Sequence, residues 1–282
     1  MIVDSHTHAW RRWPYEPTVP DSDSRGTIEQ LLHEMNLHGV DRALLICARI
    51  ELNGDNNEYG YKCAQRYPDR IIQFADLDCS WAKTYHTNGA ADRLIAATEK
   101  YGLKGYTHYL RGDDDHWFFS AEGRRFFQVT ADLGLIASIA ISPNQQVSLR
   151  KIAQEFPSVP FICHHMGGAR TSELAPYPKL KEVLASAKVP NIYLKLSGFS
   201  YVSEVPWDYP YADTHWIVRA IYEHYGPKRL CWGSDYPVVR SYMTYQHALE
   251  AFRTHCKFIS QVDKGEILGD SLQRLLAEGH RP

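Results

Sequence analysis

Eight short, apolar, β-rich runs alternate with eight longer segments whose apolar residues recur every three or four positions, and this alternation constrains the fold more than any other feature of the chain. The runs cover residues 2–3, 43–47, 71–75, 103–106, 135–141, 159–163, 191–196 and 230–232. The spacing predicts helices over 27–38, 57–67, 90–101, 122–133, 146–156, 179–187, 213–225 and 242–256, with an extra helix over 264–279. A helix between two strands returns the chain to the same end of the sheet, so consecutive strands are expected to lie parallel. Several runs are nearly continuous in apolar residues, as strands covered on both faces are. Eight such units in 282 residues predict an α/β fold, a (β/α)₈ TIM barrel forming a single domain over residues 1–282. An open doubly wound sheet has the same local pattern. No Gly-x-Gly-x-x-Gly or phosphate-loop motif follows any run, which disfavours a nucleotide-binding sheet.

Charge and composition narrow the partners. A formal net charge of −2 supplies no footprint for nucleic acid or an anionic membrane. No apolar run approaches the roughly 20 residues needed to span a bilayer. The start, Met1-Ile2-Val3-Asp4-Ser5-His6, lacks the features of a secretory signal, and the expected compartment is the cytoplasm. The six cysteines are scattered without a Cys-x-x-Cys pair and are expected to be reduced. The expected partner is a small-molecule substrate, and a homo-oligomer stays open.

Three segments carry chemistry. In Asp4-Ser5-His6-Thr7-His8, alternation along a strand turns His6 and His8 to the same side, where they could share a metal ion or a substrate. Alone, His-x-His is a weak signal in a chain with 14 histidines. His164 and His165 end the sixth run, before Gly167 and Gly168; the register does not say which of the two faces inward. Asp235 ends the eighth run in Gly233-Ser234-Asp235-Tyr236-Pro237, a segment that also reads as turn chemistry. Strands one, six and eight of a barrel converge on one mouth, at the C-terminal end where catalytic groups gather.

These segments, with Trp10, Leu194-Lys195-Leu196-Ser197-Gly198, Gly39-Val40-Asp41-Arg42-Ala43, Tyr67-Pro68-Asp69-Arg70 and Ile267-Leu268-Gly269-Asp270, together resemble the amidohydrolase superfamily. The likeness is to the amidohydrolase-related branch of 2-pyrone-4,6-dicarboxylate lactonase-like and L-fuconolactonase-like hydrolases, and it spans nearly the whole chain. The resemblance implies a (β/α)₈ barrel in which His6 and His8 are the strand-one pair, His165 is the strand-six histidine, and Asp235 activates water. The fifth run offers neither the His nor the modified Lys usual in metal-dependent members, so a binuclear site is not expected. His6, His8, His165 and Asp235 remain, able to hold one divalent metal, zinc first, or to work without metal.

Substrate-binding candidates are Arg49 after strand two, His108 and Arg111 after strand four, His164, and Tyr201 after strand seven. Arginine pairs with carboxylates, so an acidic or hydroxylated substrate is expected. Lys195 lies within strand seven and needs a partner if buried. Two polar stretches, 13–25 and 203–211, follow strand ends and are candidate substrate loops. The leading reading is a lactone hydrolase with Asp235 as base and His6, His8 and His165 stabilising the oxyanion or holding the ion. A zinc-dependent, non-oxidative decarboxylase of a small unsaturated or aromatic acid is the alternative on the same fold. A non-catalytic, ligand-binding barrel is the alternative from another class.

Overall fold

All eight apolar runs are strands in the computed structural model, which describes residues 1–278. They are β1 (Val3–Thr7), β2 (Arg42–Ile46), β3 (Ile71–Asp76), β4 (Gly105–Tyr109), β5 (Ile136–Ala140), β6 (Phe161–Cys163), β7 (Ile192–Leu196) and β8 (Leu230–Trp232). They pair in parallel in chain order. The expected helices are α1 (Ile28–His38), α2 (Asn56–Arg66), α3 (Ala90–Tyr101), α4 (Ala121–Asp132), α5 (Gln146–Glu155), α6 (Pro178–Ala185), α8 (His215–Tyr225) and α9 (Tyr245–Arg253), with one short turn, α7 (Phe199–Val202), added after β7. The extra C-terminal helix is broken into α10 (Gln261–Gly265), a π-helical turn (Glu266–Asp270) and α11 (Ser271–Glu278). Its expected last residue, Gly279, lies outside the described residues.

Two apolar layers hold this arrangement. Outward residues such as Ala43, Leu45, Ala137, Ile139 and Leu194 pack under the helices. Inward residues, among them Val3, Leu44, Phe74, Ile136 and Ile162, fill the lumen together with Leu272, Leu275 and Leu276 of α11, which plug the end opposite the mouth. The plug makes the barrel a one-ended vessel, and the polar lumen residues collect at the open end. None of the described helices is long and apolar enough to cross a membrane.

The barrel closes between β1 and the residues just after β8. Asp235 N–H donates to the His6 carbonyl at 2.8 Å, and His8 N–H donates to the Tyr236 carbonyl at 2.6 Å. Gly233 permits this approach, because a Cβ there would lie 2.9 Å from both His6 Cβ and Ser5 Oγ. Gly233→Ala is therefore expected to cost about 1–3 kcal/mol through forced overpacking, read as a lowered denaturation midpoint.

Candidate active site

The closure that completes the barrel also delivers Asp235 between the two β1 histidines. The pairing of β1 with β2 slips by one residue between Asp4 and Thr7. This bulge changes which side chains face inward. Val3 starts in the lumen, yet His6 and His8 also end there. Asp4 instead turns out to accept from the Tyr245 hydroxyl of α9 at 3.0 Å. Asp4 also accepts from the Ser234 and His6 N–H groups, tying β1 to the β8 turn.

Asp235 Oδ1 lies 3.4 Å from Nε2 of both His6 and His8, and those two nitrogens are 3.2 Å apart. The Tyr201 hydroxyl donates to Asp235 Oδ2. His8 Nδ1 donates to the Ile46 carbonyl at 2.7 Å, which leaves its Nε2 as a lone pair aimed into the site. Trp10 stacks on His8 with centroids 5.0 Å apart.

Both strand-end histidines of β6 reach the site. His164 Nε2 pairs with Ser138 Oγ of β5 at 2.7 Å, and His165 Nδ1 pairs with Ser197 Oγ at 3.0 Å. Each ring centroid lies 4.5 Å from that of His6. His165 and Asp235 both occupy left-handed backbone, at φ 43° and 62°. Non-glycine residues held this way cost free energy and gather at functional sites. The Gly167–Gly168 pair continues the same left-handed turn after His165.

Lys195, fully buried on β7, finds its partners here. Its Nζ donates to Ser138 Oγ at 2.9 Å and meets His6 Nδ1 at 3.1 Å. The Tyr109 hydroxyl lies 3.5 Å from His6 Nε2. From the 13–25 loop, Tyr15 packs on Trp10 and Trp13, and the Asp235 charge adds to burial in raising its pKa.

Burial decides the protonation states. It holds His6 and His164 well below the usual imidazole range, with the Lys195 charge adding to the effect, and it brings His165 down to about 4. Burial also lowers Lys195 to about 7. Asp235 is pushed up by burial, but His165, His8 and Tyr201 outweigh it and hold the carboxyl below its usual value. At neutral pH the Asp235 carboxylate thus sits beside the neutral rings of His6, His164 and His165.

The mouth cavity has a volume of about 550 Å³ and is lined by His164, His165, Tyr201, Arg111, Arg170 and Lys179, among others. Two residues that the sequence places at the substrate site lie elsewhere. His108 points outward from β4, bonding the Leu77 carbonyl and packing at a tilt near Trp117 and Phe126. Arg49 bonds the Gly54 carbonyl and lines a separate cleft of about 740 Å³ beside α2 and α3, which holds none of the site histidines. That cleft is larger than the mouth but lacks the convergent groups. The expected metal set is divided: His6, His8 and Asp235 offer ligand atoms within 4.8 Å of one another, while His165 groups with His6 and His164. Ser138, Tyr109 and Tyr15 do not stand out in the sequence. Strand parity would find Ser138 once β5 is set in register with β6.

A parallel eight-stranded barrel carrying a His-x-His pair, a strand-six histidine and a strand-eight aspartate at its C-terminal mouth defines a barrel hydrolase. The profile of the amidohydrolase family matches residues 3–275, and the chain belongs to that family. It is similar to the 4-sulfomuconolactone hydrolase of Hydrogenophaga intermedia, at 22% identity over 241 residues, covering 83% of this chain and 74% of that one. Among solved structures it resembles a probable 2-pyrone-4,6-dicarboxylic acid hydrolase from Acinetobacter baumannii with citric acid bound (21% identity, TM-score 0.76, 98% and 99% coverage). It also resembles an amidohydrolase from Burkholderia multivorans with bound zinc (17% identity, TM-score 0.76, 98% and 99% coverage). These structural likenesses establish the shared fold.

Proposed function

We propose that this enzyme hydrolyses a small, acidic lactone, with Asp235 as general base. The observation that carries this reading is the Asp235 carboxylate, held 3.4 Å from both β1 imidazoles at the barrel mouth and clamped on its other oxygen by Tyr201. The similarity to a sulfomuconolactone hydrolase supports the lactone class. Asp235 takes a proton from water as the oxygen adds to the lactone carbonyl. His165 Nδ1 pairs with Ser197 Oγ, and in the tautomer protonated on Nε2 the ring donates to the developing oxyanion. The ring C–O bond then breaks, and the proton held on Asp235 passes to the leaving oxygen. Arg111, Arg170 and Lys179 surround the cavity with positive charge, while Glu173 on the same wall is engaged in capping α6 through the Lys179 and Leu180 N–H groups.

The donor set of His6, His8 and Asp235 fits one divalent ion such as zinc, because these groups are buried and His8 is already set in the ligating tautomer. Such an ion, when bound, supplies Lewis-acid polarisation and a more acidic water. Zinc titrated into chelator-treated protein is expected to bind at a single equivalent, and His8→Ala is expected to lose that binding, both read by calorimetry. A pH-stat panel pairing carboxylated lactones with their methyl esters tests the substrate class. Turnover is expected for the acids, with the esters at least about tenfold poorer, as the loss of one paired charge implies. Carbon dioxide release without lactone opening would overturn the reading in favour of decarboxylation, against which the absence of a histidine on β5 already stands.

A further inference from the structure

His86, between β3 and α3, centres a second cluster on the outer side of β4. Its Nδ1 lies 2.5 Å from Asp115 Oδ2, and its Nε2 lies 3.1 Å from Nε2 of His108. His108 Nδ1 lies 2.8 Å from the Leu77 carbonyl. A carbonyl only accepts, so His108 Nδ1 carries a proton, and in the neutral ring Nε2 is a lone pair. The Asp115 carboxylate also only accepts, so His86 Nδ1 is protonated too. The two Nε2 atoms then face each other as lone pairs unless one further proton joins them. With it, His86 is an imidazolium bonded to Asp115 on one side and His108 on the other.

The surroundings suit that cation. The His86 ring stacks on Tyr85 (centroids 3.7 Å, planes 18° apart) and on Trp117 (4.3 Å, 5°). Asp78 adds negative charge nearby, and Arg111 is the opposing cation. Arg111 rests on the same stack: its N–H donates to the Tyr85 hydroxyl at 3.1 Å, and its guanidinium lies over the Tyr85 ring, 4.5 Å from the centroid. Arg111 and Asp115 lie on one loop, so both ends of the 111–115 segment are anchored on the Tyr85–His86 pair.

We propose that His86 is a positioning residue: the proton taken up by the His86–His108 pair locks residues 111–115 and sets Arg111 against the mouth cavity, linking anion affinity to that proton. The proposal rests on the reading of the mouth as an anion-facing substrate site. Burial pulls His86 below its usual range, with Asp115 pulling the other way. The proton is therefore bound at low pH and lost as pH rises through that lowered value, and anion affinity falls in the same direction. The mouth residue His165, at about 4, titrates below this window, and Lys195, at about 7, titrates in it for wild type and variants alike, so the His86 contribution is the difference between them.

The probe is benzenesulfonate, whose charge is constant between about pH 5 and pH 8, where imidazoles titrate. Its affinity for the full chain, measured by calorimetry across that range, is expected to fall about fivefold as pH rises, a modest coupling. His86→Phe keeps an aromatic ring in the stack and is expected to bind weakly, with a pH step smaller than the wild type's by the His86 contribution. Asp115→Asn, at a half-exposed side chain, is expected to move the step to lower pH. A wild-type step in both variants overturns the proposal. So do imidazole ¹⁵N spectra in which neither His86 nor His108 gains a proton in the window. If Arg111→Met binds the sulfonate as tightly as wild type, the anion-facing reading of the mouth fails and this proposal with it, a pattern distinct from the other two.

Discussion

Asp235→Asn is expected to leave a folded protein whose lactone turnover is down by about 10²- to 10⁴-fold, the usual contribution of a positioned general base. Asparagine is the informative replacement for structural reasons. Asp235 sits at φ 62°, a conformation asparagine tolerates better than most residues. Its amide oxygen can still accept from Tyr201, and its amide N–H can donate to the His8 Nε2 lone pair. The backbone bond from residue 235 to the His6 carbonyl, which helps close the barrel, is unaffected. The variant therefore removes the proton acceptor and little else. Turnover measured beside a thermal melt separates the outcomes: a wild-type rate in a well-folded variant would remove Asp235 from the mechanism, whereas loss of the melt would assign it to the fold.

The fold is legible because strand–helix alternation is a property of local sequence, and each of the eight units carries it on its own. The site is legible where a chemical group stands out against an apolar strand end, as His6, His8, His165 and Asp235 do. What the sequence hides is register. On β4 the residue type points to His108 rather than Tyr109, but the pairing turns Tyr109 towards His6 and His108 towards the helix layer. A one-residue choice exchanges the two faces, and strands buried on both sides have no polar alternation to settle it. The bulge in β1 is hidden for the same reason: Val3 and His6 both face inward although they are three residues apart. Arg49 misleads differently. It follows a strand end, but its side chain turns to the Gly54 carbonyl in the cleft beside α2, and nothing in the residue type distinguishes that course from one into the mouth. Of the two polar stretches, 13–25 contributes Tyr15 near Asp235, whereas residues 203–211 are gathered on the Asp213 carboxylate through Ser203 and the Glu204 N–H.

Lys195→Met is expected to lower turnover by about 10- to 100-fold, the usual penalty for removing a group that orients active-site ligands, while stability holds or rises. Lys195 is fully buried, and its one amine ties together side chains from three strands and the turn after β6. It meets His6 Nδ1 on β1 and donates to Ser138 Oγ on β5, and Ser138 in turn pairs with His164 Nε2 beyond β6. Without the amine, His6 loses the contact that sets its ring plane towards Asp235, and Ser138 loses one of its two partners. Methionine matches the length of the lysine stem and fills the lumen without a polar atom needing a donor. Burying an amine is costly, and replacing buried ionic groups by apolar ones of similar volume is often neutral or stabilising by about 1–4 kcal/mol. The two effects should separate in a single variant, with urea midpoints unchanged or raised and lactone turnover reduced. A variant that is less stable but turns over normally would make Lys195 a packing residue and remove the link between the β7 lysine and the β1 histidines.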